Sequence, residues 1–249
     1  MLPGPSNDPM RNPAALPTGR NMYALNPEQV PSEAAWIVAK KLAEDMIDAH
    51  RKKHEGAFPR KIAINMNGME TMRDTGVTEG QALALIGVEP IRDDRGIVAD
   101  VKLIPREQLG RPRVDVMLAI GGAYRDNFPS RIKLIDKALK MAQASPEPDN
   151  ALAANTKEAE KTLEAGGMAH DEAVRSARLR IFGSAPGQYG TSLLYVLPKS
   201  GEWKDRKELA EVYKENMRFA YGEDIWGEQS DAPYAAALKG AEAVSHVWS

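Results

Sequence analysis

The chain predicts an α/β fold, a mostly parallel sheet flanked by helices with an added helical C-terminal portion. Three observations lead there. Two apolar runs, Ile62–Met66 and Val114–Ile120, have the length of buried strands and fall short of helices. Each run ends in a polar or glycine-bearing turn, at Glu70 and at Gly121-Gly122. Behind each turn, apolar residues recur at helical spacing, which makes a strand–helix alternation.

The elements follow in order. Seven of the 17 prolines fall within residues 1–31. Proline fixes φ and removes a donor, so this segment reads as an extended arm over a larger body. Ser32 caps a helix reaching about His54, with Ala35, Ala39, Leu42 and Met46 on its inner face. Thr78 and Gln81 fit a capping box opening a compact helix that runs to Ile86 and closes on Gly87. Short strands are expected near Val88–Arg92 and Val101–Ile104, with Asp93-Asp94-Arg95-Gly96 as the turn between them. After the Tyr124-Arg125-Asp126 turn, Ile132, Ile135, Leu139 and Ala142 mark another helix.

Residues 32–145 thus form an expected α/β domain, and Ser145–Asn150 reads as a linker. Residues 146–249 read as an α-rich segment with a short Gly-rich apolar portion. Two helices there break at Gly166-Gly167, and an amphipathic helix spans about Asp205–Tyr221 with Leu209, Val212, Tyr213, Met217 and Ala220 inward. The apolar ending Val247-Trp248-Ser249 carries no stop signal, so a truncated chain is expected.

Composition narrows the function. Over 249 residues, 43% are apolar and 27% charged, with a net charge of -2. That balance offers no electrostatic case for nucleic acid or an anionic membrane surface. No apolar run nears the ~20 residues of a membrane span, and residues 1–20 lack a signal-peptide centre. A cytoplasmic protein is the expectation. The absence of cysteine excludes disulfides, thiolate metal sites and cysteine nucleophiles. No Gly-x-x-x-x-Gly-Lys-Ser/Thr loop and no Gly-x-Gly-x-x-Gly after a strand is present, so any ATP must sit on another polypeptide.

Several polar clusters carry candidate chemistry. Glu70 and Arg73 follow the Ile62–Met66 strand, where open α/β sheets place ligands. A carboxylate there can take a proton or transiently ligate a divalent metal. The same pair also fits a local ion pair that fixes the turn. Arg20 and Asn21 can hold and orient a carboxylate, or pin the arm to the body. Tyr124 and Arg125 stand at the end of the second run, where Arg125 and Asp126 also fit a helix cap. Arg180 and Tyr189 bracket a stretch whose three glycines permit close backbone approach, with or without a ligand. Gln81 suits a cap better than a ligand contact. His50 and His54 are four apart on a helix, but Arg51-Lys52-Lys53 repels a cation, so a solvated helix end is expected.

Read together, the segments resemble the large subunit of the ATP-dependent metal chelatases, the family of cobaltochelatase CobN and the magnesium-chelatase H subunit. The matching pieces run from Arg11-Asn-Pro13 through Leu16-Pro-Thr-Gly-Arg-Asn21 to Glu70-Thr-Met-Arg73 and Gln81-Ala-Leu-Ala-Leu-Ile-Gly-Val-Glu-Pro90. Leu109-Gly-Arg-Pro-Arg-Val-Asp-Val116, Tyr124-Arg-Asp126, Arg180-Ile-Phe-Gly183, Pro186-Gly-Gln-Tyr-Gly190 and Phe219-Ala-Tyr-Gly222 complete the set. Glu70 and Arg73 resemble CobN more closely than the magnesium enzyme, where Asp and Lys are expected.

The resemblance implies a tetrapyrrole substrate, a divalent metal as second substrate (Co²⁺, with Mg²⁺ as alternative) and cobalamin synthesis. It places ATP on separate AAA+ motor subunits like CobS and CobT. It implies Glu70 as base or transient metal ligand, and Arg20, Asn21, Arg73, Gln81, Tyr124, Arg125, Arg180 and Tyr189 as substrate contacts. Two departures go with it. The chain resembles only a central segment of much longer proteins, and Asn67 stands where a Trp is expected. A non-catalytic tetrapyrrole-binding or docking module is the reading from another functional class.

Overall fold

In the computed structural model, which describes residues 4–5, 16, 21–23, 25–191, 193 and 205–246, the chain enters through two short strands. These are β1 (Gly4–Pro5) and β2 (Asn21–Tyr23), paired in parallel. Helix α1 (Glu33–Lys53) begins as expected, with Ser32 Oγ accepting from the Ala35 N–H at 3.1 Å. Its inner stripe is turned slightly from expectation. Trp36, Ala39, Ala43 and Ile47 face the core, whereas Leu42 is 42% exposed. His50 is also buried, stacked on His54 and 3.7 Å from Glu242, so only His54 keeps the expected exposure.

Strand β3 (Lys61–Met66) leads into a short helix, α2 (Gly68–Asp74), where a turn was expected. Asn67, found in place of the expected Trp, caps it by accepting from the Met69 N–H at 2.9 Å. Helix α3 (Val77–Ile86) follows without the capping box. Gly76 takes the cap position at φ 96, and Asp74 Oδ1 accepts from the N–H groups of Gly76 and Val77 instead. Thr78 lies inside the helix, and Gln81 is drawn into the body.

Strands β4 (Val88–Arg92) and β5 (Val98–Leu103) pair with each other, antiparallel, in a separate hairpin. Asp93 Oδ1 accepts from the N–H groups of Arg95 and Ile97, closing the connection within a few residues. A parallel neighbour would need a crossover of about a dozen residues or more. Next come α4 (Arg106–Leu109), β6 (Asp115–Ile120), α5 (Gly122–Asn127) and α6 (Pro129–Gln143). Helices α7 (Ala151–Ala165) and α8 (His170–Ser176) break at Gly166-Gly167 as expected.

The remaining elements are β7 (Ile181–Gly183), α9 (Arg206–Met217), β8 (Phe219–Tyr221), β9 (Trp226–Gln229), α10 (Asp231–Leu238) and β10 (Ala243–Ser245). Helix α9 stops short of the expected end, because Phe219–Tyr221 extends to pair with β7. Ala220 is therefore buried as a strand residue.

One six-stranded sheet, in the order β10-β3-β6-β7-β8-β9, organises the body. Its first four strands are parallel, and β8 and β9 are antiparallel additions. The segment after Ser145 supplies β7 to β10. Strand β6 is buried at every position, the signature of a strand covered on both faces. Val116, Leu118 and Ile120 pack with Leu83 and Leu85 of α3 and Ile132 and Ile135 of α6. Met117 and Ala119 face the other way, onto Phe182, Met217 and Tyr234.

Two buried arginines close the apolar helix α3. Arg111 donates to the carbonyls of Ala84 and Leu85, and Arg113 to those of Ile86, Gly87 and Ile104. Cations suit the negative end of a helix, and these satisfy carbonyls that water cannot reach. Arg113 also holds Glu147 at 2.8 Å, which pulls that carboxyl down to about 2. The pair therefore stabilises the fold above the ordinary glutamate value of 4.5, and this contribution drains away as pH falls toward 2. Arg113→Ala should cost about 3–5 kcal/mol, since it leaves buried carbonyls and a carboxylate unpartnered. Urea unfolding from pH 2 to 6 should show a shallower acid dependence in the variant than in the parent.

Candidate functional site

All four parallel strands deliver their carboxyl ends to one rim. Strands β3 and β6 run in register from Lys61 opposite Asp115 to Met66 opposite Ile120. The Gly121 N–H then donates to the Met66 carbonyl at 3.0 Å, so the ladder continues past both strands. Helices α2 and α5 consequently start side by side. A Cβ on Gly68 would lie 2.7 Å from Tyr124 N, and one on Gly122 would lie 2.7 Å from the Tyr189 ring. Two glycines thus let α2, α5 and the 184–190 loop meet with nothing between them.

Glu70 sits in the first turn of α2, nearly buried, and accepts from Arg73 Nη2 at 2.7 Å. Arg73 is the more open partner, with a side chain 43% exposed. The ion pair leaves a cation reaching outward and an acid anchored behind it. Met69, between Gly68 and Glu70, is 64% exposed and offers an apolar surface at the same rim.

Arg125 is 2% exposed and organises the neighbouring loop. Its Nη1 donates to the carbonyls of Ser184, Ala185 and Gln188, while Nε and Nη2 grip Asp126 at 2.6 and 3.0 Å. That grip holds the Asp126 carboxyl below its usual range. The Tyr189 hydroxyl donates to Asp126 as well, which pushes the phenol upward, and its ring lies 5.5 Å from the Arg125 guanidinium. The Tyr189 residue is 66% exposed, so one ring face stays open. Tyr221 donates to the Ser184 carbonyl from behind.

The other expected residues lie elsewhere. Tyr124 is completely buried, its ring stacked on Phe128 at 5.2 Å. Gln81 accepts from Ser245 Oγ at 2.8 Å and fastens α3 to the end of β10. Arg180 is at the opposite, amino end of the strands, where its Nε meets Asp115 at 2.8 Å and its Nη2 meets Thr156. Arg20 lies outside the described residues, and for Asn21 only the backbone is described.

Sequence reasoning overlooked Asp126 as the link between Arg125 and Tyr189, and Met69 as exposed apolar surface. The adjacency of Asp126 to Arg125 was legible, but only the fold brings the 184–190 loop to them. Two hollows, of about 580 Å³ beside Thr75 and Arg92 and about 140 Å³ at the amino end beside Lys61 and Lys239, are lined by neither Glu70 nor Tyr189. Among the described residues, Glu70 belongs to no group of three His, Asp or Glu side chains close enough to share an ion.

The arrangement pairs a fixed acid with an open cation, beside aromatic and apolar surface, at the ligand-facing end of a parallel sheet. The family model described as CobN/Magnesium Chelatase matches residues 1–249. The chain belongs to the CobN/magnesium chelatase family. It is 39% identical over 248 residues to the aerobic cobaltochelatase subunit CobN of Sinorhizobium sp, covering 98% of this chain and 19% of that protein.

It is 33% identical over 225 residues to the chloroplastic magnesium-chelatase subunit ChlH of Oryza sativa subsp. japonica, covering 90% of this chain and 16% of that one. The solved catalytic subunit of cobaltochelatase from Mycobacterium tuberculosis superimposes with a TM-score of 0.86 at 35% identity, over 98% of this chain and 20% of that chain. The chain therefore spans about a fifth of the length of the family members it matches. Family and fold agree with the expectation from the motifs. The mostly parallel sheet is shared.

The residues on which the resemblance rests divide by what they touch. Arg111, Arg113, Asp115 and Arg180 satisfy the framework, whereas Glu70, Arg73 and Tyr189 reach the rim. Arg125→Leu should free the 184–190 loop, since charge-assisted hydrogen bonds each contribute about 1.5–3 kcal/mol. Limited proteolysis with mass spectrometry should show cleavage within 184–190 rising several-fold, while cuts elsewhere stay rare.

Proposed function

We propose that this chain is the segment of a metal chelatase large subunit that seats a tetrapyrrole against the carboxyl rim of its sheet and takes part in inserting a divalent metal. The observation that carries the reading is the meeting of Glu70, Arg73, Met69 and Tyr189 on one rim, in a chain of this family. A macrocycle has flat apolar faces and acidic or amide side groups. Met69 and the open Tyr189 ring suit the faces, and Arg73 suits a carboxylate. Arg125 acts through the loop it holds, as a positioning residue.

Insertion exchanges inner N–H protons of the ring for one divalent ion, two from a porphyrin and one from a corrin. Glu70 is the group suited to receive a proton, or to hold the metal as it sheds water. A single carboxylate already paired with Arg73 makes a weak, reversible ligand, which fits a metal in transit as substrate. Cobalt into a corrin ring, as in cobalamin synthesis, is the preferred pairing because the chain carries Glu70 and Arg73, in keeping with its resemblance to CobN. ATP hydrolysis belongs to AAA+ partner subunits of the CobS and CobT kind, in line with the missing phosphate loop.

Absorbance titration of the chain with a metal-free corrin and a free-base porphyrin tests the binding step. Saturable binding of the corrin, weakened at least ~10-fold by Arg73→Ala, is the expected result, since a charged contact contributes about 1.5–3 kcal/mol. Glu70→Gln should leave that affinity within ~3-fold and, in the full-length subunit with its motor partners and ATP, lower metal insertion by ~100-fold or more. Binding indifferent to Arg73, or insertion indifferent to Glu70, would remove the corresponding assignment.

A further inference from the structure

Beneath the rim lies a buried acid that the proposed chemistry does not use. Glu79, on α3, is 1% exposed, and neither carboxyl oxygen has a partner at hydrogen-bond geometry. Two hydroxyls face it, Thr71 from α2 and Tyr124 from α5, both buried and also without a partner at that geometry. Gly76 closes over it, since a Cβ there would stand 3.3 Å from Glu79 Oε2.

The charged neighbours offer the carboxylate little relief. Asp74, at the end of α2, acts on it with the same sign. Arg131 of α6 is the cation within reach, but it donates to Glu28 and to the carbonyls of Val30 and Val98. A neutral carboxyl carries one O–H donor and several acceptor sites, which suits a place between two hydroxyls. An isolated carboxylate in the same place would be strongly disfavoured.

We propose that Glu79, as a neutral carboxylic acid, is a positioning residue that pins α2 to α5 through Thr71 and Tyr124, and that its ionisation unseats the rim and weakens tetrapyrrole binding. The second half of this inference rests on the proposed function; the pinning does not. Burial pushes the Glu79 acid up to about 7 from an ordinary 4.5, against the smaller opposing pull of the Thr71 hydroxyl. The sign is opposite to that of a paired carboxylate. The native state holds the proton more tightly than the unfolded chain, so this stabilisation is complete below pH 4.5 and is lost as pH rises through about 7.

The test uses the 249-residue chain as wild type, Glu79→Gln and Glu79→Ala. Glutamine mimics the neutral acid at every pH. Hydrogen exchange of α2 and α5 amides, corrected for intrinsic rates, should accelerate ~10-fold in wild type from pH 6 to 8, stay level in Glu79→Gln, and be fast throughout in Glu79→Ala. Affinity for the metal-free corrin should fall ~10-fold over the same range in wild type only.

Carbon-13 NMR of glutamate-labelled wild type should show one carboxyl titrating near neutrality, a readout that needs no variant. Glutamate carboxyls that all titrate below pH 5.5, or Glu79→Gln exchanging like wild type at every pH, would overturn the pinning. An exchange difference without binding of either the metal-free corrin or a free-base porphyrin supports the pinning and removes the tetrapyrrole reading instead. Corrin binding with equal pH dependence in wild type and Glu79→Gln overturns the coupling to the ligand.

Discussion

The parallel pairing of β3 with β6 is the contact on which the rest of the molecule depends. Six residues of each strand run in register, and the ladder extends one bond further from Gly121 to Met66. Because the strands end level, the helices that follow them start level too. Any slip of one residue would exchange the two faces of a strand and separate those starts. Glycine at positions 68 and 122 then removes two side chains that would hold α2, α5 and the 184–190 loop apart. The candidate site is a consequence of strand register more than of any local motif.

Burying so polar a set of residues has a structural logic. Arg111 and Arg113 meet the carbonyls at the end of an apolar helix that water cannot reach. Arg180 and Lys61 converge on Asp115 at the amino ends of the strands, and Asn155 joins them there. Buried charges survive only when paired and hydrogen-bonded, and each of these is. The arginines at this end of the sheet tie the crossover segments together. The arginine at the other end, Arg125, ties a loop. Arginine serves both tasks because its planar fork reaches several carbonyls at once.

The rim divides labour between fixed and open groups. Glu70 is held by Arg73 and by its helix, while Tyr189 is held at its hydroxyl and left open at its ring. Among the described residues, a surface of this kind presents its chemistry on an open rim. That suits a chain which spans about a fifth of the length of the relatives it matches.

Much was legible in the sequence by itself: the apolar runs that became β3 and β6, the Ser32 cap, the break at Gly166-Gly167 and the family. These are local or periodic signals, set by dihedral preference and by which face meets the core. The tertiary structure decided what local signals could not. It turned Thr78 and Gln81 from a cap into interior residues, made β4 and β5 a private hairpin, and sent Arg180 to the end of the sheet opposite Glu70. It also buried Glu79 between two hydroxyls contributed by different helices. Each of those outcomes depends on contacts between residues far apart in the chain, and a contact partner is a property of packing that no residue carries in its own spacing.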